Sequence, residues 1–289
     1  MCDMKVKLEE TINRHVTTLN QALAKSRHVN DHNALPLVTV ITPSYNQGKF
    51  LERTIISVLN QDWPNIEYII IDGCSSDNSV AIIRKYEEYL AFWVSENDSG
   101  QTNAINKGIK RGSGKYLTWV GSDDILLPGA ITTMVRALEE NPAAGIVYGA
   151  VAFIDEADRF LKKIGYTTMT LEKLLYQKHS TIAQPSSLLN RKILDAAGLL
   201  DESLSFCMDY DLWIRLHQIA PSVNLGEKVL SGYRLHPESK TVSAYTKMAL
   251  EKIRVNRKHS GDIINKVIYA HYWYIIEKCL KRFFRIGVR

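Results

Sequence analysis

The stretch Tyr116-Leu117-Thr118-Trp119-Val120-Gly121-Ser122-Asp123-Asp124 constrains this chain more than any other. Its first five residues are mostly β-branched or aromatic and read as a buried strand. The strand stops at Gly121. Two adjacent carboxylates follow, before Leu126, Leu127 and Pro128 close the turn and start a helix. Paired carboxylates at the carboxyl end of a buried strand suit a hard divalent cation. Mg²⁺ or Mn²⁺ takes oxygen ligands, often only one or two of them from protein. In an open α/β sheet, that end of the strands is also where ligands bind. The alternative is that Asp123 and Asp124 only cap the following helix.

The residues before this stretch alternate between two periods. Residues 37–42 read as a first core strand, followed by the turn Pro43-Ser44-Tyr45-Asn46-Gln47-Gly48. Leu51, Ile55, Val58 and Leu59 then share one helix face. Residues 66–71 are a second strand, ending in Asp72-Gly73-Cys74-Ser75-Ser76-Asp77, and Val80, Ile83 and Tyr86 mark the next helix. A short strand at residues 92–94 leads through Glu96-Asn97-Asp98-Ser99-Gly100 to a helix over 102–110. Strands alternating with helices predict an α/β fold: a doubly wound, mostly parallel central sheet with flanking helices. The phosphate-binding glycine motifs fail, however. Gly112-Ser113-Gly114 has Leu117 where a third glycine is needed, and Gly114-Lys115 is followed by Tyr116 rather than Ser or Thr. A dinucleotide dehydrogenase and a P-loop kinase are therefore disfavoured. A nucleotide diphosphate bound here would need a metal to neutralise it, and Asp123 and Asp124 are the obvious means.

The second half reads differently. Residues 145–149 are a strand, 150–163 a hairpin, 171–176 a short helix and 184–189 a strand. A helix over 193–197 ends at Gly198. Met208-Asp209-Tyr210-Asp211 opens another, whose apolar face is Leu212, Trp213, Leu216 and Ile219. Acidic residues at a helix start are favoured by capping and dipole, which accounts for one of Asp209 and Asp211 without requiring both. The segment 231–241 is a polar loop after a strand.

With 289 residues the chain has room for a large core. At its start, Ile12, Val16, Leu19 and Leu23 recur at helical spacing, and 26–33 reads as a polar linker. Residues 1–36 are thus expected to be a helical extension without a secretory leader. No apolar run is long enough to span a bilayer. Cys2, Cys74, Cys207 and Cys279 are scattered without a CxxC pair, as expected of reduced thiols in the cytoplasm. The net charge of +5 is uneven: residues 251–289 hold ten Lys/Arg against three Asp/Glu. Residues 261–289 read as one long helical pattern. Lys278, Lys281, Arg282, Arg285 and Arg289 lie on one face, and Ile268, Tyr272, Ile275, Ile276, Cys279, Leu280, Phe283 and Phe284 on another. A basic amphipathic helix of this kind can lie on an anionic membrane surface, which would make the protein peripheral on the cytoplasmic face. Nothing points to nucleic acid.

The order of motifs resembles the family 2 glycosyltransferases, which have the GT-A fold. The matching pieces are Val40-Ile41-Thr42-Pro43-Ser44-Tyr45-Asn46, Ile71-Asp72-Gly73-Cys74-Ser75-Ser76-Asp77, Asp98-Ser99-Gly100-Gln101, Ala104-Ile105-Asn106-Lys107-Gly108, Ser122-Asp123-Asp124 and Met208-Asp209-Tyr210-Asp211-Leu212-Trp213. Each is weak alone; six in the family's order are specific. The resemblance covers residues 37–243 and divides them into a nucleotide-sugar half (37–145) and an acceptor half (146–243), with 244–289 as a C-terminal helical tail.

The resemblance implies an inverting, metal-dependent transfer of sugar from a nucleotide-diphosphate sugar, with a UDP-sugar the first expectation. The acceptor would be a hydroxyl of a saccharide or lipid-linked acceptor in envelope polysaccharide or glycolipid synthesis. It implies that Thr42, Pro43, Tyr45, Asn46 and the Asp72 turn hold base and ribose, with Asp98, Gln101 and Asn106 lining the same pocket. Asp123 would face the ribose and Asp124 the metal. Asp209 would be the catalytic base, with Asp211 as runner-up. His236 follows Tyr233 and Arg234 in a segment resembling the one that folds over the diphosphate, which makes it a candidate for the metal or a phosphate. Two departures stand out. Many members carry a second acidic residue where this chain has Gly73, and Glu where it has Met208. Two other readings remain: a catalytically idle nucleotide-sugar-binding subunit, and a sugar nucleotidyltransferase. The latter opens with a glycine-rich, Arg-containing loop that Pro43-Ser44-Tyr45-Asn46 is not.

Overall fold

The structure, a computed structural model, describes residues 2–20, 35–177, 182–239 and 244–286. Among them, one sheet runs in the order β3-β2-β1-β4-β8-β6-β9-β5, with β7 paired to β6. The strands are β1 (Val38–Ser44), β2 (Ile66–Asp72), β3 (Phe92–Ser95), β4 (Tyr116–Trp119), β5 (Ile125–Leu126), β6 (Ile146–Ile154), β7 (Phe160–Ile164), β8 (Ser187–Asn190) and β9 (Ser222–Arg234). The helices are α1 (Cys2–Thr17), α2 (Leu51–Leu59), α3 (Ser79–Lys85), α4 (Gln101–Arg111), α5 (Ala130–Glu140), α6 (Leu171–Tyr176), α7 (Arg191–Ala197), α8 (Met208–Ile219), α9 (Tyr245–Ser260) and α10 (Lys266–Ile286).

The first half is the parallel, doubly wound unit that the alternating pattern predicts. β1 pairs in parallel with β2 and β4, and β3 in parallel with β2. β1 is buried along its whole length because helices cover both faces of the sheet. The period-2 alternation assigns its side chains to opposite layers. Val38 and Val40 join the core under α2 and α5, and Ile41 joins the one under α4 and α8. Tyr116 and Leu117 split in the same way.

The second half is mixed. β8 is antiparallel to β4 and β6, while β9 runs parallel to β6 and antiparallel to β5. The expected hairpin is β6–β7, although β6 already begins at Ile146 as one continuous strand. A 3₁₀ turn at Gln184–Ser186, with Pro185 inside it, delays β8 to Ser187. The short β5 follows directly on Asp124. Its pairing, Ile125 with Gly232 and Leu126 with Ser231, brings the end of β9 alongside the paired carboxylates.

The extensions pack on this frame. Ile12 and Val16 of α1 bury against Ile125, Leu127 and Ile154. Leu23 and the segment 26–33 lie outside the described residues. The tail expected over 244–289 holds two helices, and the single helical pattern read from Gly261 onward falls on the second, α10. α9 begins at Tyr245 and ends at Gly261, whose left-handed φ of 72° suits a residue without Cβ. Ala249, Ile253, Val255 and Asn256 of α9 are buried, and Val255 belongs to the same core as Trp213. α10 buries Val267 and Ile268 and leaves Tyr269, Trp273 and Ile276 exposed. The side chains of the basic face, Lys278, Lys281, Arg282, Arg285 and Arg289, fall outside the described residues. Among the described residues no helix is long and apolar enough to cross a membrane.

Candidate active site

The carboxyl ends of three parallel strands meet in register, Ser44 beside Asp72 and Asp72 beside Ser95. Asp72 is fully buried and spends its carboxylate on the scaffold. One oxygen accepts from the Ser75 amide (2.9 Å) and the Ser95 hydroxyl (2.7 Å), the other from the Ser75 hydroxyl (2.6 Å). Asn46, at a left-handed φ of 51°, clamps the facing loop: its Oδ1 accepts from the Ser76 amide and its own amide donates to the Ser75 hydroxyl, both at 2.8 Å. Thr42 is buried and shares a hydrogen bond with the Tyr68 hydroxyl at 3.0 Å; Pro43 is buried beside it. Tyr45 projects from the turn with 63% of its surface exposed, as a ring that is to stack on a base requires. Asp98 accepts from the Gly100 amide at 2.8 Å. Its second oxygen lies where a side chain on Gly73 would point, because a Cβ there would sit 2.8 Å from it. The Asp98 carboxylate thus occupies the room that an acidic residue at position 73 would need.

Gln101 opens α4, half-exposed, right after the Asp98 loop. Asn106 has a different job from lining a pocket. Its amide nitrogen donates to the Leu200 carbonyl and to Glu202, both at 2.9 Å, and its oxygen accepts from the Leu200 amide at 3.1 Å. Thr102 adds a bond to the Leu204 carbonyl at 2.6 Å and Asn103 one to Glu202 at 2.9 Å. One face of α4 therefore ties the parallel half of the sheet to the loop that leads into α8.

Asp123 and Asp124 are not helix caps. α5 begins at Ala130 after Gly129, with β5 in between. The carboxylates sit in a turn closed by the Asp124 amide on the Gly121 carbonyl (2.9 Å) and held from below by the Thr54 hydroxyl on the Ser122 and Asp124 carbonyls. Arg234, fully buried, secures the turn from the other side. Its amide donates to Asp124 Oδ1 (2.9 Å) and its Nε to the Asp123 carbonyl (2.7 Å). The rest of its guanidinium reaches the Asp155 carbonyl (2.8 Å) and the Asp158 carboxylate (2.6 Å). Asp158 is paired in turn with Arg53 at 2.7 Å. His236 is buried, with Nε2 3.0 Å from Asp123 Oδ2 and its ring against Phe50.

Burial, then the charge of Asp123, pushes the Asp124 carboxyl well above the usual carboxylate range, against the opposing pull of Arg234. The two carboxylates converge over bare backbone: a Cβ on Gly121 would lie 2.8 Å from Asp123 Oδ1 and 3.1 Å from Asp124 Oδ2. That cradle, with excess negative charge and oxygen donors, fits Mg²⁺ or Mn²⁺. No cluster of three or more His, Cys, Asp or Glu side chains set to hold a metal occurs among the described residues. The protein would thus supply few ligands, and phosphate oxygens and water the remainder.

Asp209 and Asp211 lie two residues apart in opposite surroundings. Asp209, in the first turn of α8, bonds its oxygen to the Tyr210 amide (2.7 Å), and burial pushes its carboxyl up to about 6. Asp211 is fully buried. Burial would raise it, but His259 (2.8 Å), Arg215 (2.8 Å) and Lys258 (3.2 Å) hold it well below the usual range. Asp211 is an ion-pair anchor, whereas Asp209 can take up a proton near neutral pH. Trp213, one turn beyond Asp209, stacks on Trp119 at 5.9 Å and 14°. Trp119 ends the strand that leads to Asp123. The two acidic stretches, far apart in the chain, thus rest on one aromatic pair.

Sequence reasoning missed Arg234, Asp158 and Glu251. An arginine at a strand end carries no local sign of whether it is buried or solvated. Nothing in the sequence points to Glu251, whose carboxylate meets backbone more than forty residues earlier.

The chain matches the family described as glycosyl transferase family 2 over residues 39–198. An uncharacterized glycosyltransferase of Rickettsia bellii is 32% identical over 220 residues; these are 73% of this chain, which spans only 32% of that relative's length. A putative teichuronic acid biosynthesis glycosyltransferase of Bacillus subtilis is 44% identical over 92 residues, 31% of this chain and 36% of its own length. Among solved structures, S. aureus TarS 1-349 in complex with UDP-GlcNAc superposes with a TM-score of 0.61 at 18% identity, covering 80% of this chain and 68% of TarS 1-349. A mannosyltransferase of Pyrobaculum calidifontis in complex with GDP-Man and Mn²⁺ does so with a TM-score of 0.60 at 17% identity, covering 92% and 81%. At such identities the likeness is one of fold, the GT-A type.

Proposed function

Because the chain belongs to the family 2 glycosyltransferases, we propose that it transfers a sugar, with inversion, from a nucleotide-diphosphate sugar to an acceptor hydroxyl. The chain is an enzyme of glycosyltransferase type. The observation that carries the proposal is the cradle over Gly121, where Asp123 and Asp124 converge; exposed Tyr45 and half-exposed Asp98 follow the carboxyl ends of β1 and β3 in the same sheet.

In this reading Tyr45 stacks on the base, Asn46 and the Asp72 turn shape the pocket, and Asp98 stands where a second acidic residue would read the base. Asp123 faces the ribose with His236 behind it, and Asp124 holds the cation. A bound Mg²⁺ or Mn²⁺ supplies charge neutralisation on the leaving diphosphate. Asp209 accepts the proton of the acceptor hydroxyl as its oxygen bonds to the anomeric carbon. The bond from that carbon to the diphosphate breaks, and the nucleoside diphosphate leaves with the electron pair. A single displacement inverts the centre without a covalent enzyme intermediate. Saccharide or lipid-linked acceptors, in envelope polysaccharide or glycolipid synthesis, follow from the Bacillus relative's name and from α10. Exposed Tyr269, Trp273 and Ile276 lie three and four residues apart there, as on a helix that rests on an anionic membrane surface.

Thermal denaturation with UDP-GlcNAc, other UDP-sugars and GDP-mannose, each with and without Mn²⁺, tests the donor reading. A ligand that binds only the folded state raises the midpoint. Stabilisation by a UDP-sugar that depends on Mn²⁺ is expected; the same shift with GDP-mannose alone reassigns the nucleotide, and none with any donor refutes the reading. Nucleotide release with a suitable acceptor then separates a transferase from an idle binding subunit.

A further inference from the structure

The start of α8 has no cap of its own. A helix leaves its first amides unsatisfied, and the segment that leads into this one is held from elsewhere. The preceding residue, Cys207, makes no side-chain cap bond. The partner comes from α9. One carboxylate oxygen of Glu251 accepts from the Phe206 and Cys207 amides, both at 2.7 Å, and the other from the Ser205 amide at 3.0 Å. Three consecutive amides thus converge on one remote carboxylate, the charge-assisted form of such a bond. The Cys207 carbonyl then accepts from the Asp211 amide at 3.0 Å and closes the first turn, which contains Asp209. The next residue of α9, Lys252, lays its ammonium over the Tyr210 ring, 4.6 Å from the centroid, beside Asp209. Further along α9, Asn256 bonds the Tyr210 hydroxyl at 3.0 Å, and Lys258 and His259 hold Asp211.

We propose that α9 is a working part of the transfer site: Glu251 is a positioning residue that fixes the backbone leading into Asp209, and Lys252 faces the same carboxylate from the neighbouring place on the helix. The proposal rests on the reading of Asp209 as the base.

The charges that face Asp209 from α9 are of opposite sign. Lys252 favours its ionised form and Glu251 opposes it. On its own helix the Tyr210 amide donates to it, Asp211 is already neutralised by Arg215, Lys258 and His259, and burial keeps the Cys207 thiol protonated. Lys252 is itself held below the usual lysine range by burial, against the pull of Cys207 and Asp209. Removing either charge acts on the titration of Asp209 through the local field. A positioning group that shares the field of the base moves it, and its two neighbours move it in opposite directions.

The test uses the full chain labelled with ¹³C at the aspartate carboxyls. Asp209 is assigned by the signal that disappears in Asp209→Asn. The wild-type midpoint is expected near 6, lower in Glu251→Gln and higher in Lys252→Met. Midpoints that stay put, or that move in the same direction, overturn the proposal. If Glu251→Gln does not fold, Lys252→Met decides alone. The two readings fail separately. Wild-type transfer by Asp209→Asn removes Asp209 as base, whereas an inactive Asp209→Asn with unmoved midpoints removes only the role of α9.

Discussion

Asp209→Asn should abolish transfer and stabilise the fold at the same time. Asparagine keeps the shape of the side chain and its bond to the Tyr210 amide but removes both the charge and the basicity. Loss of a general base costs transfer about 10²-fold or more. The stability effect follows from linkage. The Asp209 carboxyl is raised from the usual 3.8 to about 6 in the folded protein, so the folded state prefers it protonated. Below about pH 4 both folded and unfolded chains carry the proton and the group contributes nothing. As pH rises from 4 to 6 the unfolded chain ionises first, and the wild type loses stability until the folded group also ionises. The rise of about two pH units corresponds to at most about 3 kcal/mol above pH 6. Solvent access at the half-buried side chain and the favourable charge at a helix start reduce the gain to about 1–3 kcal/mol. Urea denaturation of both proteins at pH 4 and pH 8 measures it. The variant should gain on the wild type at pH 8 and converge with it at pH 4. A variant that is less stable at pH 8, or an equal difference at both pH values, refutes the argument.

Asp124→Ala should leave a folded protein with no turnover, and wild-type turnover should stop in excess EDTA and return with Mn²⁺; full activity in EDTA would remove the metal from the mechanism. Arg234→Met should destabilise the fold by about 3 kcal/mol or more, because Asp158 loses a buried partner and the turn at Asp123 and Asp124 loses its anchor; an unchanged urea midpoint would show that Arg53 alone satisfies Asp158. The chain should float with anionic vesicles, less so at high salt, and a form with Tyr269, Trp273 and Ile276 all changed to Ser should not; equal flotation of both would exclude this face of α10 as the contact.

The strands and helices of the first half are legible because each is buried on a defined face, so a period of 2 or 3.6 survives in the residues themselves. The paired carboxylates are legible for the same reason, as polar residues ending an apolar strand. What pins them is not. Arg234 reaches Asp124 across 110 residues, and Glu251 reaches Cys207 across 44. Neither contact leaves a local pattern, since a long polar side chain at a strand end or on a helix looks the same whether solvated or buried. Asn106 shows the converse. It sits in a motif that implies ligand binding, yet its amide joins two parts of the scaffold. Within the tail over 244–289, α9 leaves no clear apolar stripe of its own because it mixes buried Asn256 with charged residues that bond to Asp211 and to the backbone before α8.

The late arrival of these pins has a consequence for synthesis. Asp124 leaves the ribosome 110 residues before Arg234, an interval of about 5–20 s at ordinary elongation rates. During that time the parallel strands β1 to β4 can pair and bury their faces, while the acidic turn after β4 has no guanidinium to hold it. Asp209 waits in the same way for Glu251. A nascent chain therefore carries a formed parallel sheet without the contacts that hold the turns at Asp124 and Asp209, and these close only when the last strand of the sheet and the helix after it have docked.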